Sequence, residues 1–388
     1  MTRPAPHSSI TVLLLSAFCW IGAAAGAAQS KPADSAPDVL VLSNGDTLHG
    51  KFINQVSGNV NFHSDPLGDI SIPWDKVKEL HSEQKYAVID KTVKLHGNNE
   101  EKAKQIPNGN VEVAGGTVTV HGEGAAAPTS IPAKNAQYIV DVPTLNRQMF
   151  HEPGFLSGWS GAAGAGATLV KATQNDYNVS GTVGLVRLVP TVAWLNPRNR
   201  SSVGFTGSYG KITQPGIPTV KTAIYHADAE RDQYFTPRVF ALAQAAFDHN
   251  FAQNLQLQQI YGGGLGWTFL KTENQEADVK GTIQYESQRF ITGPSSLDEH
   301  LVGSTFGLSY LLHAKRLTFV QNLQYIPAYN TPSAYSATET NTLTFPAYKN
   351  LGFSVGTIDT YLNNATFPTK RNSFQFTTGL TYAIKSKY

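Results

Sequence analysis

An all-β chain is predicted: an antiparallel up-and-down transmembrane β-barrel of about twelve strands, preceded by a small β-rich N-terminal domain. Three observations predict it. Only 15% of the 388 residues are charged, against about 25% in soluble domains. Period-two alternation dominates residues 157–388, with no helical pattern of useful length. Eleven turn signals also divide that stretch at regular intervals. Apart from one short run at the start, no stretch approaches the roughly 18 apolar residues that a spanning helix needs. The near-neutral balance, Lys+Arg 30 against Asp+Glu 28 with no basic block, argues against nucleic acid as a partner.

The apolar run is Ile10 to Ile21, preceded by Arg3 and followed by the small residues Gly22 to Ala28. That order reads as a secretory signal peptide over residues 1–28. Cys19, the one cysteine, lies inside it, and bulky Phe18 before it disfavours a lipidation site. Cleavage would leave no disulfide or thiolate ligand in the remainder. Residues 29–38 are expected to be a flexible linker.

Residues 39–142 read as a β-rich domain, with tight turns at Asn44-Gly45 and Ser57-Gly58. A weak repeat is visible. Gly58 to His63 followed by Ser71-Ile72-Pro73 matches Gly116 to His121 followed by Ser130-Ile131-Pro132, which fits either a duplicated small β module or chance likeness between strand-and-turn sequences. His63 and His121 recur at equivalent places, but two isolated histidines lack a metal-ligand set. Residues 143–156, bounded by prolines, read as a connector.

Within residues 157–388, the stretch from Ala277 shows the alternation most plainly. Ala277, Val279, Gly281, Ile283 and Tyr285 alternate with Asp278, Lys280, Thr282, Gln284 and Glu286. Phe374, Phe376, Leu380, Tyr382 and Ile384 alternate with polar or small residues in the last strand. The polar faces are rich in Gly, Ser, Thr and Gln, as expected for a wall facing confined water. Aromatics on the apolar parity gather near strand ends. Trp267, Phe269, Tyr310, Phe345 and Tyr382 would form one girdle, and Tyr177, Tyr209, Tyr285, Tyr325 and Phe374 the other.

The turn signals fall near Gln174, Asn196, Gln214, Thr236, Gln253, Glu273, Gly293, Ala314, Thr331, Tyr348 and Pro368. Arg187 and Pro190 interrupt the second strand, while Glu339 and Asn341 fall on the apolar parity of the tenth; these leave ten or fourteen strands as alternatives. An even count puts both barrel ends on the periplasmic side, with the N-terminal domain. Tyr388, preceded at intervals of two by Ser386, Ile384, Tyr382 and Leu380, is similar to the C-terminal signal read by the bacterial outer-membrane assembly machinery.

Gly158-Trp159-Ser160-Gly161 at the opening of the first strand, the meandering strands and the C-terminal ending resemble the salt-induced outer-membrane protein family, uncharacterised bacterial barrels. The resemblance spans Gly154 to Tyr388. It implies a Gram-negative outer-membrane location and a link to salt or envelope stress, and it supplies no catalytic residue.

His226, Asp228, Glu230 and Asp232 on one strand, and Asp278, Lys280, Gln284 and Glu286 on another, form the candidate site. They should face the lumen, either as a buried network that fills the barrel or as a narrow path whose acidic excess favours cations. No cofactor or metal site is expected, and outer-membrane lipid and the assembly machinery are the expected partners. The periplasmic partner of the N-terminal domain is left open. No G-x-S-x-G elbow or H-E-x-x-H motif occurs, so the expected role is structural or pore-type rather than enzymatic. The alternatives are a barrel hydrolase acting on lipid, with His226, His249 and His300 as candidates, and a periplasmic binding module anchored by the barrel.

Overall fold

The computed structural model describes residues 37–93, 95, 105–122, 127–151, 153–171, 175–192, 194–214, 217–272, 274–292, 298–314, 316–364 and 371–385. The expected signal peptide, most of the linker, the C-terminal Tyr388 and Ser386, and several turn tips such as Gly293-Pro294 lie outside the described residues.

Among the described residues, twenty-one strands and one α-helix follow in chain order. The N-terminal sheet contains β1 (Asp38–Leu42), β2 (Thr47–Val56), β3 (Asn59–Ser64), β4 (Gly68–Pro73), β5 (Val77–Asp90), β6 (Asn108–Ala114), β7 (Thr117–His121), β8 (Thr129–Pro132) and β9 (Ala136–Asp141). Its order is β4-β3-β2-β1-β5-β6-β7-β8, and β9 pairs with both β2 and β5. Alternate residues of β3, β6 and β7 point inward, and Leu40, Phe52, Val60, Phe62, Val111 and Val118 fill the core. Tyr86 packs its ring 4.7 Å from that of Phe52 and donates its hydroxyl to the Phe52 carbonyl. Burial, with Asp38 beside it, pushes that hydroxyl well above its ordinary pKa. The strand β1 begins at Asp38, the last residue of the expected linker; its buried carboxylate accepts the Phe52 N–H at 2.7 Å.

Two parts of this sheet share geometry. Val60 faces Ile72 across β3–β4, and Val118 faces Ile131 across β7–β8. Trp74 N–H donates to the Gly58 carbonyl at 2.8 Å, and Ala133 N–H donates to the Gly116 carbonyl at 2.8 Å. A Cβ on Gly50 would overlap the His63 carbonyl oxygen, and one on Gly109 would overlap that of His121. His63 and His121 each face one carboxylate, Asp69 at 2.6 Å and Glu112 at 3.6 Å.

The expected connector contains a helix, α1 (Val142–Phe150). Asp141 caps it by accepting Thr144 N–H at 2.8 Å, and Pro143 stands in the first turn, where a missing N–H costs nothing. Leu145 and Met149 pack against Ala87, Ile89 and Val140 of the sheet and against Leu195 from the loop after β11.

The barrel closes from β10 (Trp159–Lys171), β11 (Asn175–Val189), β12 (Asn199–Gln214), β13 (Ile217–Tyr234), β14 (Val239–Asn250) and β15 (Leu255–Lys271) through β16 (Gln275–Phe290), β17 (Glu299–Ala314), β18 (Leu317–Ile326), β19 (Ser336–Tyr348), β20 (Leu351–Leu362) and β21 (Asn372–Ile384). All neighbours are antiparallel, and β10 pairs with β21 from Gly161–Ile384 to Ala165–Leu380. Twelve strands therefore stand, with a break at each of the eleven turn signals.

Arg187 does not interrupt β11. It continues the ladder opposite Trp159 and Ser201 and is buried because it donates to the carbonyls of Ser157 and Pro153 in the segment leading into β10. Glu339 and Asn341 reflect no register slip either. Unbroken pairing puts Leu323, Glu339 and Asp359 on one face, and Gln321, Asn341 and Thr357 on the same face. That face is the outer one, shared with Phe374 and Phe376. Gln321 and Asn341 both donate to Glu339 at 3.0 Å, so the mainly apolar exterior carries a polar window here.

Gly50→Ala and Gly109→Ala should each cost roughly 2 kcal/mol through forced backbone displacement. Amide hydrogen exchange should then quicken across β2–β3 in the first variant and across β6–β7 in the second.

Candidate functional site

Parity along paired strands sorts the barrel's side chains. Trp267, Val279, Leu308 and Leu323 share one outward row, with Leu265, Gly281, Phe306 and Tyr325 in the next. The apolar members stand exposed on the exterior, as Ile283 at 70% and Leu380 at 71% show. Trp267, Phe269, Tyr310, Phe345 and Tyr382 lie at the rim where β10 begins and β21 ends; Tyr177, Tyr209, Tyr285, Tyr325 and Phe374 lie at the other.

The opposite parity carries the polar groups, and contacts between non-adjacent strands show that it faces the lumen. Arg200 of β12 donates to Asp232 of neighbouring β13 at 2.6 Å. It also reaches β16, four strands away, meeting Glu276 at 2.9 Å and Asp278 at 2.7 Å. Its guanidinium lies 5.2 Å from the Phe240 ring centre and 5.9 Å from that of Tyr234, within cation–π range. Lys280 of β16 pairs with Glu230 of β13, and Lys271 stands 3.7 Å from Glu276.

These contacts set the shape. A circular barrel of twelve strands, spaced ~4.8 Å and tilted ~40°, would separate walls four strands apart by about 20 Å. An arginine and an aspartate joined by a hydrogen bond span only about 14 Å. The β12–β13 and β16 walls are therefore drawn together, pinching the lumen near the rim that bears the N-terminal sheet.

Further along the lumen, Gln244 of β14 lies 3.4 Å from Thr282 and 3.5 Å from Gln284 of β16, and Thr305 of β17 donates to Gln284. His226 sits between Asp248 at 2.6 Å and Asp228 at 3.3 Å. Glu286 is buried and accepts from Gln258 and, at 2.5 Å, from Gln288. Asn364, in the loop after β20, donates to Gln288 at 2.8 Å. Gln253, in the loop after β14, donates to the carbonyls of Thr360 and Arg371 at 3.2 and 3.0 Å, tying opposite sides of that rim.

The structure thus distributes the eight candidate residues over three levels. Asp232 and Asp278 meet through Arg200, Glu230 meets Lys280, and Gln284 joins an amide–hydroxyl group. His226 with Asp228, and Glu286 with its glutamines, lie toward the far rim. Sequence reasoning missed Arg200, Asp248, Glu276 and Gln258. Arg200 was legible in the strand pattern, since it lies directly opposite Asp232 in the β12–β13 ladder; Glu276 was not, because its partner lies four strands away.

The other histidines have other partners. His249 meets the Gln256 carbonyl at 2.7 Å, His300 the Tyr285 hydroxyl at 2.6 Å and His313 the Thr318 hydroxyl at 3.1 Å. Among the described residues, none of these, nor His226, is seen paired with a serine hydroxyl. Among the described residues, no group of three or more His, Cys, Asp or Glu is arranged to hold a metal ion.

Residues 165–384 match the model of a family described as "Protein of unknown function, DUF481". No curated protein matches the chain. Among solved structures, the NanC porin in a rhombohedral crystal form is 10% identical, with a TM-score of 0.33, covering 58% of this chain and 100% of its own. The KdgM porin in complex with disordered oligogalacturonate is 11% identical, with a TM-score of 0.28, covering 58% and 99%.

Arg200→Ala should leave Asp232, Glu276 and Asp278 facing one another without their cation, a loss of about 3–5 kcal/mol for a broken buried pair. The check is the urea midpoint of refolded protein in detergent, which should fall clearly below that of the parent and of an Asn364→Ala control.

Proposed function

Since the chain belongs to the DUF481 family, whose description names no activity, we propose from its own chemistry that it is an integral outer-membrane barrel with a narrow, acid-lined aqueous path. One observation carries this reading: a closed sheet whose exterior is mainly apolar between two aromatic girdles, while the ion-paired groups of β12 to β16 converge on the lumen. Hydrocarbon demands that every backbone N–H and C=O be paired, which a closed barrel satisfies. A soluble protein would have no reason to turn its Phe, Leu and Ile side chains outward and its Asp and Arg inward.

At the rim carrying the N-terminal sheet, β13 and β14, β15 and β16, β17 and β18, and β19 and β20 follow one another closely, and β11 and β12 stand nine residues apart. At the opposite rim β10 and β11, β12 and β13, and β14 and β15 follow closely, but β16 and β17, β18 and β19, and β20 and β21 stand eight or nine residues apart, so that the wider spacings gather there. Outer-membrane barrels put short turns toward the periplasm, so the N-terminal sheet is read as periplasmic. Among these lumenal groups carboxylates outnumber the fixed cations: Asp228, Glu230, Asp232, Asp248, Glu276 and Asp278, with Glu286 held by its glutamines, stand against Arg200, Lys271 and Lys280. An acidic lining favours cations over anions, and the Arg200 pinch keeps the path narrow. The link to salt or envelope stress that the family resemblance implies belongs to this reading as a proposal. The pairing of His226 with two carboxylates, rather than with a nucleophile, favours a passage over a hydrolase.

Detergent-extracted protein should migrate faster on gels unheated than boiled, as a closed barrel does. In planar bilayers, refolded protein should give small cation-preferring steps, and Asp228→Asn with Asp248→Asn should weaken that preference. Equal mobility in both states would overturn the membrane barrel; absence of steps above background would overturn the passage and leave a structural barrel.

A further inference from the structure

The N-terminal sheet contains a cavity of about 320 Å³, at the lower end of the ~300–1,000 Å³ usual for small-molecule sites. Three turns converge on it: Ser57-Gly58 between β2 and β3, Lys91 just after β5, and residues 133–135 between β8 and β9. Backbone hydrogen bonds fix them. Lys91 N–H donates to Asn135 at 2.9 Å and Trp74 N–H to Gly58 at 2.8 Å. The Trp74 indole N–H donates to the Ala133 carbonyl at 3.0 Å, which ties the first turn to the third. Asp90 accepts both the N–H and the hydroxyl of Thr92, at 2.8 and 2.7 Å, and so shapes the turn that presents Lys91.

The lining has a definite chemistry. Trp74 and Tyr138 supply aromatic walls, and Gln137 donates to the Tyr138 hydroxyl at 3.0 Å. Gln55 also lines the cavity; it is only 2% exposed, and its Oε1 accepts no hydrogen bond among the described residues. A buried carboxamide oxygen left without a donor has lost its water and gained nothing in return, a loss that a ligand N–H or O–H would recover. Lys91 and Lys134 border the cavity and both are exposed, with Asp90 near enough to Lys91 to feel its charge. Two cations call for an anion, the Gln55 oxygen for a hydrogen-bond donor, and the aromatic walls for a ring with an apolar face.

We propose that this cavity binds an anionic sugar, held by Lys91 and Lys134 at its acidic group, by Gln55 at a hydroxyl or amide N–H, and by Trp74 and Tyr138 at its ring face. The proposal rests on the periplasmic reading only for the source of the sugar, which is either a carboxylated cell-wall glycan or the phosphorylated headgroup of a glycolipid.

The test is calorimetric titration of the refolded full chain in detergent with N-acetylmuramic acid, glucosamine 6-phosphate and neutral N-acetylglucosamine. At least one acidic sugar should bind about tenfold or more tightly than the neutral one, and the stronger of the two identifies the source. Lys91→Ala with Lys134→Ala should weaken it by about tenfold per lysine lost, and Gln55→Leu should weaken all sugars. Lys91→Arg with Lys134→Arg should retain binding, which separates loss of charge from loss of fold. No binding by either acidic sugar, equal binding of the neutral sugar, or full binding in the double alanine variant would each overturn the proposal. Channel steps should be unchanged in the lysine variants, so failure of this site is distinguishable from failure of the barrel reading.

Discussion

Closure of the second sheet is the constraint on which the rest depends. An open twelve-stranded sheet would leave β10 and β21 with unpaired backbone groups along two edges, a template for aggregation in water and prohibitive in hydrocarbon. The seam is short, running from Gly161–Ile384 to Ala165–Leu380, and it is built from small residues. Gly161, Ala163 and Ala165 face Ile384, Tyr382 and Leu380, and a Cβ on Gly379 would strike the Ala165 carbonyl. Close approach at the seam fixes the register there, and register fixes which side chains face out all the way round.

Once parity is set, the lumen becomes a place where charges cannot escape one another. Arg200 serves three carboxylates on two walls, and the geometry needed to do so flattens the barrel. Twelve strands lie between the filled eight-stranded interior and the open sixteen-stranded channel. The result here is intermediate in kind as well: side chains fill the space between β12 and β17, as the burial of Asp232, Gln284 and Thr305 shows, while β18 to β20 remain only partly covered within.

The N-terminal sheet is joined to this barrel by more than a tether. Gln148 of α1 is buried, accepting Thr191 N–H and donating to its hydroxyl, both at 2.9 Å. Tyr138 meets Trp194 at 5.5 Å between ring centres. The loop between β11 and β12 thus supplies Leu195 and Trp194 to the core beneath α1, and Arg200, the centre of the lumenal network, follows that loop almost directly. Events in the small sheet and at the pinch share one short stretch of chain.

The sequence by itself determined the class of fold, the positions of the turns and the parity of nearly every strand. It could do so because strand alternation and turn chemistry are local properties, readable over a few residues. Even the outward Glu339 and Asn341, which looked like faults in the pattern, were on the side that parity assigned them; what was missing was Gln321 and Thr357 on neighbouring strands, which give them hydrogen bonds. Tertiary structure alone decided which charges meet, where the lumen narrows and that residues 142–150 coil into a helix docked on the N-terminal sheet and on the loop after β11. Those outcomes depend on groups separated by tens of residues and several strands, such as Arg200 and Glu276, or Gln148 and Thr191. No local period encodes such distances; only the closed path of the chain brings the partners together.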